Sequence, residues 1–136
     1  MPLSYYPRIG EVLVCDYGAH TIEPEMFKTR PVVVVSRRLR NRPGLVGIVP
    51  LSTTEPDRME GYHCFIELET PLPPPFDSPI MWAKCDMYSV VALRRLDRFK
   101  APRSRQGGGR TWVAGELTSE QCEAVRQAVL IGLGFN

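Results

Sequence analysis

Five residues of this chain have types and spacing suited to chemistry on a phosphodiester: Arg30, Ser52, Thr53, Lys84 and Asp86. Arg30 stands at the entrance to an apolar run, Pro31-Val32-Val33-Val34-Val35. Ser52 and Thr53 follow the run that ends at Leu51. If those two runs pair as strands, a guanidinium and two hydroxyls gather at one rim of a sheet. Arginine forks onto two phosphate oxygens, and hydroxyls hold the others. Lys84 and Asp86 are two apart at the end of a third apolar run. In a strand such residues share a face, so a carboxylate able to take a proton would stand beside an ammonium able to stabilise or protonate a leaving oxygen. Each residue also has a plainer reading. Arg30 could pair with Glu25 on the surface, the hydroxyls could satisfy backbone donors of a turn, and Lys84 with Asp86 could be a structural salt bridge.

The elements that must position these residues are legible. Gly10 to Tyr17 reads as a first strand, Arg30 to Ser36 as a second and Leu45 to Leu51 as a third. Val32 to Val35 is continuously β-branched, as in a strand covered on both faces. Tyr62 to Leu68 alternates, with His63, Phe65 and Glu67 on one face, and reads as half-buried. Ile80 to Cys85 is the fifth strand, and Ser89 to Leu96 is open between a short strand and a helical turn. Pro71, Pro73, Pro74, Pro75 and Pro79 make 71–79 an extended surface loop. Residues 1–8 read as an irregular arm and 100–112, with Gly107-Gly108-Gly109, as a mobile insert. Thr118 and Gln121 form a capping box ahead of a helix whose stripe is Cys122, Val125, Val129 and Ile131, with Ala124 and Ala128 alongside. Short strands, long loops and one terminal helix predict an α+β fold with a compact, curled antiparallel sheet of SH3-like barrel type.

Bulk composition bounds the rest. At 136 residues the chain is expected to be one domain, 1–136, with a single core. Its 43% apolar and 24% charged fractions are those of a globular protein. No apolar run reaches the length of a membrane span and the N-terminus lacks a signal-peptide pattern, so no membrane partner and a cytoplasmic location are expected. The cysteines at 15, 64, 85 and 122 form no C-x-x-C unit and read as buried free thiols. With His20 and His63 far apart, neither metal nor cofactor is expected. Net charge is only +2, but arginines cluster at Arg37, Arg38, Arg40 and Arg42 and again from Arg94 to Arg110. That pattern fits either nucleic acid or solvated loops. Trp82, Tyr62, Phe76 and Tyr88 could stack exposed bases or belong to the core.

The order Gly10-Glu11-Val12, then Glu25 through Lys28 to Arg30-Pro31 and Ser36, then Val49-Pro50-Leu51-Ser52-Thr53, resembles the PemK/MazF toxins of bacterial toxin–antitoxin pairs. Trp82-Ala83-Lys84-Cys85-Asp86 followed by Arg95-Leu96 is similar to that family's fifth-strand motif, and the stretch from Leu117 to its last helix. The resemblance implies a CcdB/PemK-type fold and a homodimer that cleaves single-stranded RNA and is inhibited by a cognate antitoxin. It implies that Arg30 binds the scissile phosphate, that Ser52 and Thr53 orient it, and that Asp86 and Lys84 move the protons. Arg37, Arg38, Arg40, Arg42 and Trp82 would then contact the RNA. The chain departs from the family pattern at Lys84, where the family has arginine, and at Met87-Tyr88-Ser89-Val90, where it carries polar residues. Those departures keep open a module of the same fold that binds RNA or a protein target without cleaving, as CcdB toxins bind gyrase.

Overall fold

The computed structural model describes residues 3–100, 112–113 and 115–135. Its strands are β1 (Glu11–Asp16), β2 (Thr29–Val34), β3 (Leu45–Ser52), β4 (His63–Glu67), β5 (Ile80–Lys84), β6 (Ser89–Ala92), β7 (Leu96–Asp97), β8 (Phe99–Lys100), β9 (Trp112–Val113) and β10 (Gly115–Glu116). The helix α1 spans Ser119–Gly132. The five expected strands are present, and the remainder are short pieces that the sequence pattern did not separate. Ser89 to Leu96, read as either strand or helical turn, is both: β6, then a 3-10 turn at Leu93–Arg95, then the start of β7.

All pairings are antiparallel, and the main sheet runs β10-β1-β2-β3-β5-β4. β3 is long enough to serve two neighbours on one side. Its first half, Leu45 to Ile48, pairs with β6, and its last residues, Leu51 and Ser52, pair with β5. The sheet therefore bends sharply at β3 and curls without closing into a complete barrel.

The valine run is covered on both faces, as its composition predicts. Val33 belongs to the core beneath α1, with Val12, Val49, Leu51, Ile66, Met81 and Val125. Val32 and Val34 face a second core with Leu13, Cys15, Ile48 and Leu96. The arm helps to cover that second face: Leu3 and Tyr6 pack on it, and the Tyr6 hydroxyl donates to the Leu45 carbonyl at 2.8 Å. The proline-rich loop is likewise anchored rather than free, because Leu72 is buried and Phe76 meets the Phe99 ring edge-on.

α1 begins at the expected capping box. Gln121 N donates to Thr118 Oγ1 at 3.1 Å and Thr118 N donates to Gln121 Oε1 at 2.9 Å. Gln121 Nε2 also donates to the Glu67 carbonyl at 2.8 Å, which ties the helix to β4. Val125, Ala128 and Val129 form the buried stripe, whereas Ile131 and Ala124 are exposed. Gly132 lies against the turn after β5: a Cβ there would be 3.1 Å from Asp86 Cα and 3.2 Å from the Cys85 carbonyl oxygen. The mobile insert expected at 100–112 falls, apart from its paired ends Lys100 and Trp112, outside the described residues.

Candidate active site

Arg30 is the second residue of β2, opposite Cys15 on β1. The loop before it doubles back through Lys28, whose φ of 67° is left-handed, and this places Phe27 under the guanidinium. Arg30 Nε donates to the Phe27 carbonyl at 3.2 Å, and Arg30 Cζ lies 5.3 Å from the Phe27 ring centroid. The surface ion pair with Glu25 that was the plainer reading is not formed. Glu25 Oε1 instead accepts from Ile22 N at 2.7 Å, closing its own turn. One edge of the guanidinium is thus held, and no carboxylate among the described residues neutralises it.

A groove of about 300 Å³ opens beside Arg30. Ser52 from the end of β3, Lys84 from the end of β5, and Glu25 and Phe27 from the loop before β2 also line it. The pairing explains the convergence. β2 and β5 flank β3 on opposite sides, so the residues at the ends of these three strands meet at one rim. Ser52 Oγ accepts from Thr54 N at 3.1 Å, a local turn bond of the plainer kind, yet the residue still borders the groove.

Two expected members stand elsewhere. Thr53 is exposed and does not line the groove; Thr54 does. Asp86 was expected on one face of a strand with Lys84. β5 ends at Lys84, and Cys85–Met87 is a 3-10 turn, so the alternation that would align the two side chains stops between them. Asp86 is exposed beside Gly132 at the end of α1, outside the groove lining and without an ion pair to Lys84. The reason is tertiary: Met81, Ala83 and Cys85 are all buried, so the inward series runs on, but the backbone winds into a 3-10 turn packed against Gly132 of α1. Burial pushes the Cys85 thiol up to about 12, with Cys64 and Asp86 adding to the rise, so it remains a neutral core group.

The arginine cluster is not brought to this groove either. Arg37 borders a cavity between β2 and α1, and Arg38 lies 5.9 Å from the Tyr6 ring. Arg40 and Arg42 sit on the exposed turn bridged at Leu39 and Arg42. Of the aromatics considered for stacking, Phe76 and Tyr88 pack against the core and Tyr62 lies partly buried beside His63. Trp82 is different: it is half-buried on the outward face of β5, opposite Ser52. Sequence reasoning missed Phe27 and passed over Glu25 as a functional group. The signal available was their position in the run before Arg30, within one turn of the guanidinium.

Beyond a ridge of Glu25, Met26 and Met87 is a second cleft, of about 500 Å³, reached by Tyr17, His20, Ser89 and Arg95. Burial, with Cys15 adding to it, raises the Tyr17 hydroxyl well above its ordinary pKa, and Ser89 and then the Arg30 charge offset only part of the rise.

An open, curled antiparallel sheet with a C-terminal helix is the fold of MazF-type toxins. The chain aligns with an endoribonuclease from a mycobacterial species, solved with its cognate antitoxin, at a TM-score of 0.64 and 21% identity, over 96% of this chain and 98% of that one. It aligns with MazF from Deinococcus radiodurans at a TM-score of 0.64 and 16% identity, over 97% and 100%. By sequence it is 31% identical to the uncharacterized protein YifN of Escherichia coli (strain K12) across 126 residues, which covers 76% of this chain and 80% of YifN. Residues 8–133 match the model of the PemK-like, MazF-like toxins of type II toxin–antitoxin systems, and the chain belongs to that family.

Proposed function

We propose that this protein is a toxin endoribonuclease that cleaves single-stranded RNA at the Arg30 groove. The observation that carries the reading is the convergence of Arg30, Ser52 and Lys84 from three strands on one groove, with the carboxylate of Glu25 in the same lining. The 2′-hydroxyl of the substrate attacks the adjacent phosphorus and the bond to the 5′-oxygen breaks. The products are a 2′,3′-cyclic phosphate and a 5′-hydroxyl. A carboxylate accepts the proton of the attacking hydroxyl, and Lys84 supplies one to the departing oxygen. Arg30 faces the charge that builds on the phosphate, the position where a preorganised donor contributes most, and Ser52 orients it. Because the nucleophile belongs to the substrate, the mechanism needs no metal. Glu25 is better situated than Asp86 to act as the base, being in the lining while Asp86 lies on the turn beyond Lys84. Thr53, adjoining Ser52, and the arginines of 37–42 are left to contacts farther along the RNA.

The same reading makes the protein a homodimer acting in the cytoplasm and held inactive by a cognate antitoxin. A similar endoribonuclease solved with its antitoxin supports that partner. A non-catalytic binding module is the second reading, favoured by the position of Asp86 outside the groove.

The test is digestion of a long single-stranded RNA in EDTA by wild type, Arg30→Ala, Glu25→Gln and Asp86→Asn. Fragments with 5′-hydroxyl ends from wild type, lost in Arg30→Ala, are expected. Glu25→Gln should be the weaker of the two carboxylate variants. Intact RNA with folded wild type across varied sequences would leave the binding module.

A further inference from the structure

β4 and β5 bury one face and expose the other. Cys64, Ile66, Met81 and Ala83 point into the core. The alternate residues, His63 and Phe65 on β4 and Trp82 and Lys84 on β5, form the outward face, since successive side chains of a strand point to opposite sides. Phe65 stands opposite Trp82, and Trp82 stands opposite Ser52 of the groove. Directly opposed residues share a face, so Ser52, Trp82 and Phe65 make one row across three strands. Lys84, two residues along from Trp82 on the same face, lines the groove with Ser52. The row therefore leads from the phosphate groove to an aromatic pair without interruption, and Phe65 lies two strand spacings, about 10 Å, from Ser52.

Phe65 is exposed to an extent that core packing does not explain, and Trp82 beside it is half-buried. Phe65 is 51% exposed, and its ring meets Trp82 edge-on, with centroids 6.1 Å apart and planes at 80°. An edge-on pair leaves a ring face open. Exposed aromatic faces beside a cationic groove are the arrangement that takes unpaired bases, because every base has a π-face and the groove holds the backbone. Glu67 shares this face at the far end of β4, and His63 stands at the end nearer the groove, opposite Lys84. His63 Nδ1 accepts from Glu60 N at 3.0 Å, which leaves its other nitrogen, as a donor, on this face.

We propose that Phe65 and Trp82 form a stacking ledge for one nucleobase of single-stranded RNA, that of a nucleotide adjoining the phosphate held at Arg30, Ser52 and Lys84. This rests on the RNA-cleaving reading and adds to it a base subsite on β4. Trp82 was among the aromatics that the sequence offered for stacking; Phe65 was not, and the register of β4 on β5 is what adds it.

The experiment uses a short single-stranded RNA, taken from a site mapped by wild-type cleavage or, if wild type cleaves none, selected by binding, with any attacking 2′-hydroxyl removed so that binding is read without cleavage. Bases near the site are replaced one at a time by abasic residues. Wild type should lose roughly 5- to 100-fold in affinity at one position, the worth of one stacked base. Phe65→Ala should show the same loss on the intact RNA and no further loss at that abasic position, while Phe65→Tyr restores binding and Phe65→Leu does not. The salt dependence of binding should be unchanged in Phe65→Ala, whereas Arg30→Ala should lower its slope by about one phosphate contact. Phe65→Ala that binds and cleaves intact RNA as wild type does overturns the ledge and leaves the nuclease reading standing. So does a loss of affinity that follows only a change in self-association, measured by sedimentation, which would assign the face to contact between copies. RNA bound with the abasic signature but never cleaved supports the ledge and defeats the nuclease reading. RNA neither bound nor cleaved by wild type defeats both.

Discussion

Replacing Arg30 by lysine keeps a positive charge at the groove and removes the fork. In the structure Arg30 spends Nε on the Phe27 carbonyl at 3.2 Å, which leaves its two terminal nitrogens for a phosphate. Lysine has neither the planar fork nor the tethered Nε–H, so it meets the phosphate through one flexible point. The loss is about one charge-assisted hydrogen bond, ~1.5–3 kcal/mol, or roughly ten- to a hundredfold in single-turnover cleavage. Arg30→Ala also removes the charge and should cost on the order of 10²- to 10³-fold, as removal of a preorganised donor does. Stability should change by no more than about 1 kcal/mol, because what is lost in the fold is one backbone contact and a cation–π contact at a partly exposed ring. The assay is single-turnover cleavage of a defined RNA in EDTA, with thermal unfolding of each variant alongside. The order wild type, lysine, alanine is the claim. Lysine equal to arginine would mean that Arg30 acts only as a charge. Alanine within about threefold of wild type, with the fold intact, would remove Arg30 from the site, since the expected loss is far larger.

Other consequences are open to measurement. Gly132→Ala would put a methyl 3.1 Å from Asp86 Cα and 3.2 Å from the Cys85 carbonyl oxygen. It should cost about 1–3 kcal/mol in urea unfolding as overpacking against backbone, and slow cleavage by shifting the turn that follows Lys84. Thr118→Ala removes the cap on Gln121 N and should cost about 1 kcal/mol without altering single-turnover rates. Burial raises the Cys15 and Cys85 thiols from an ordinary 9.0 to about 12. The folded state then keeps protons that the unfolded chain releases above pH 9. This contribution is complete below pH 9 and declines as pH rises towards 12, by up to about 1.4 kcal/mol per thiol per pH unit. The urea midpoint should therefore fall above about pH 9, and less steeply in Cys15→Val or Cys85→Ala. A midpoint level from neutral pH to about pH 10.5 would contradict the burial of both thiols.

The local elements were legible because each depends on neighbours in the chain. The valine run, the alternation from His63 to Glu67 and the Thr118–Gln121 box are local patterns, and the structure keeps all three. The meeting of Arg30 with Ser52 also followed from sequence, since it needs only that two adjacent strands pair, and β2 and β3 do. Asp86 lies outside the groove for a physical reason absent from any local pattern. β5 ends at Lys84 and the chain winds into a 3-10 turn against Gly132 of α1, so Asp86 leaves the ladder although Cys85 keeps the inward place that alternation gives it. Phe65 was assigned to the correct face and its use was not seen. Alternation tells which residues point outward, and a half-buried strand looks the same whether its outer face meets water or a ligand. Only the register of β3, β5 and β4 joined Phe65 to Ser52 through Trp82. The amino-acid pattern was enough to place the five longer strands, the start of the helix and an arginine at a strand mouth. Tertiary structure decided which side chains share the groove, because that depends on strand order and on where the core bends the chain, and both are set by contacts between residues far apart in sequence.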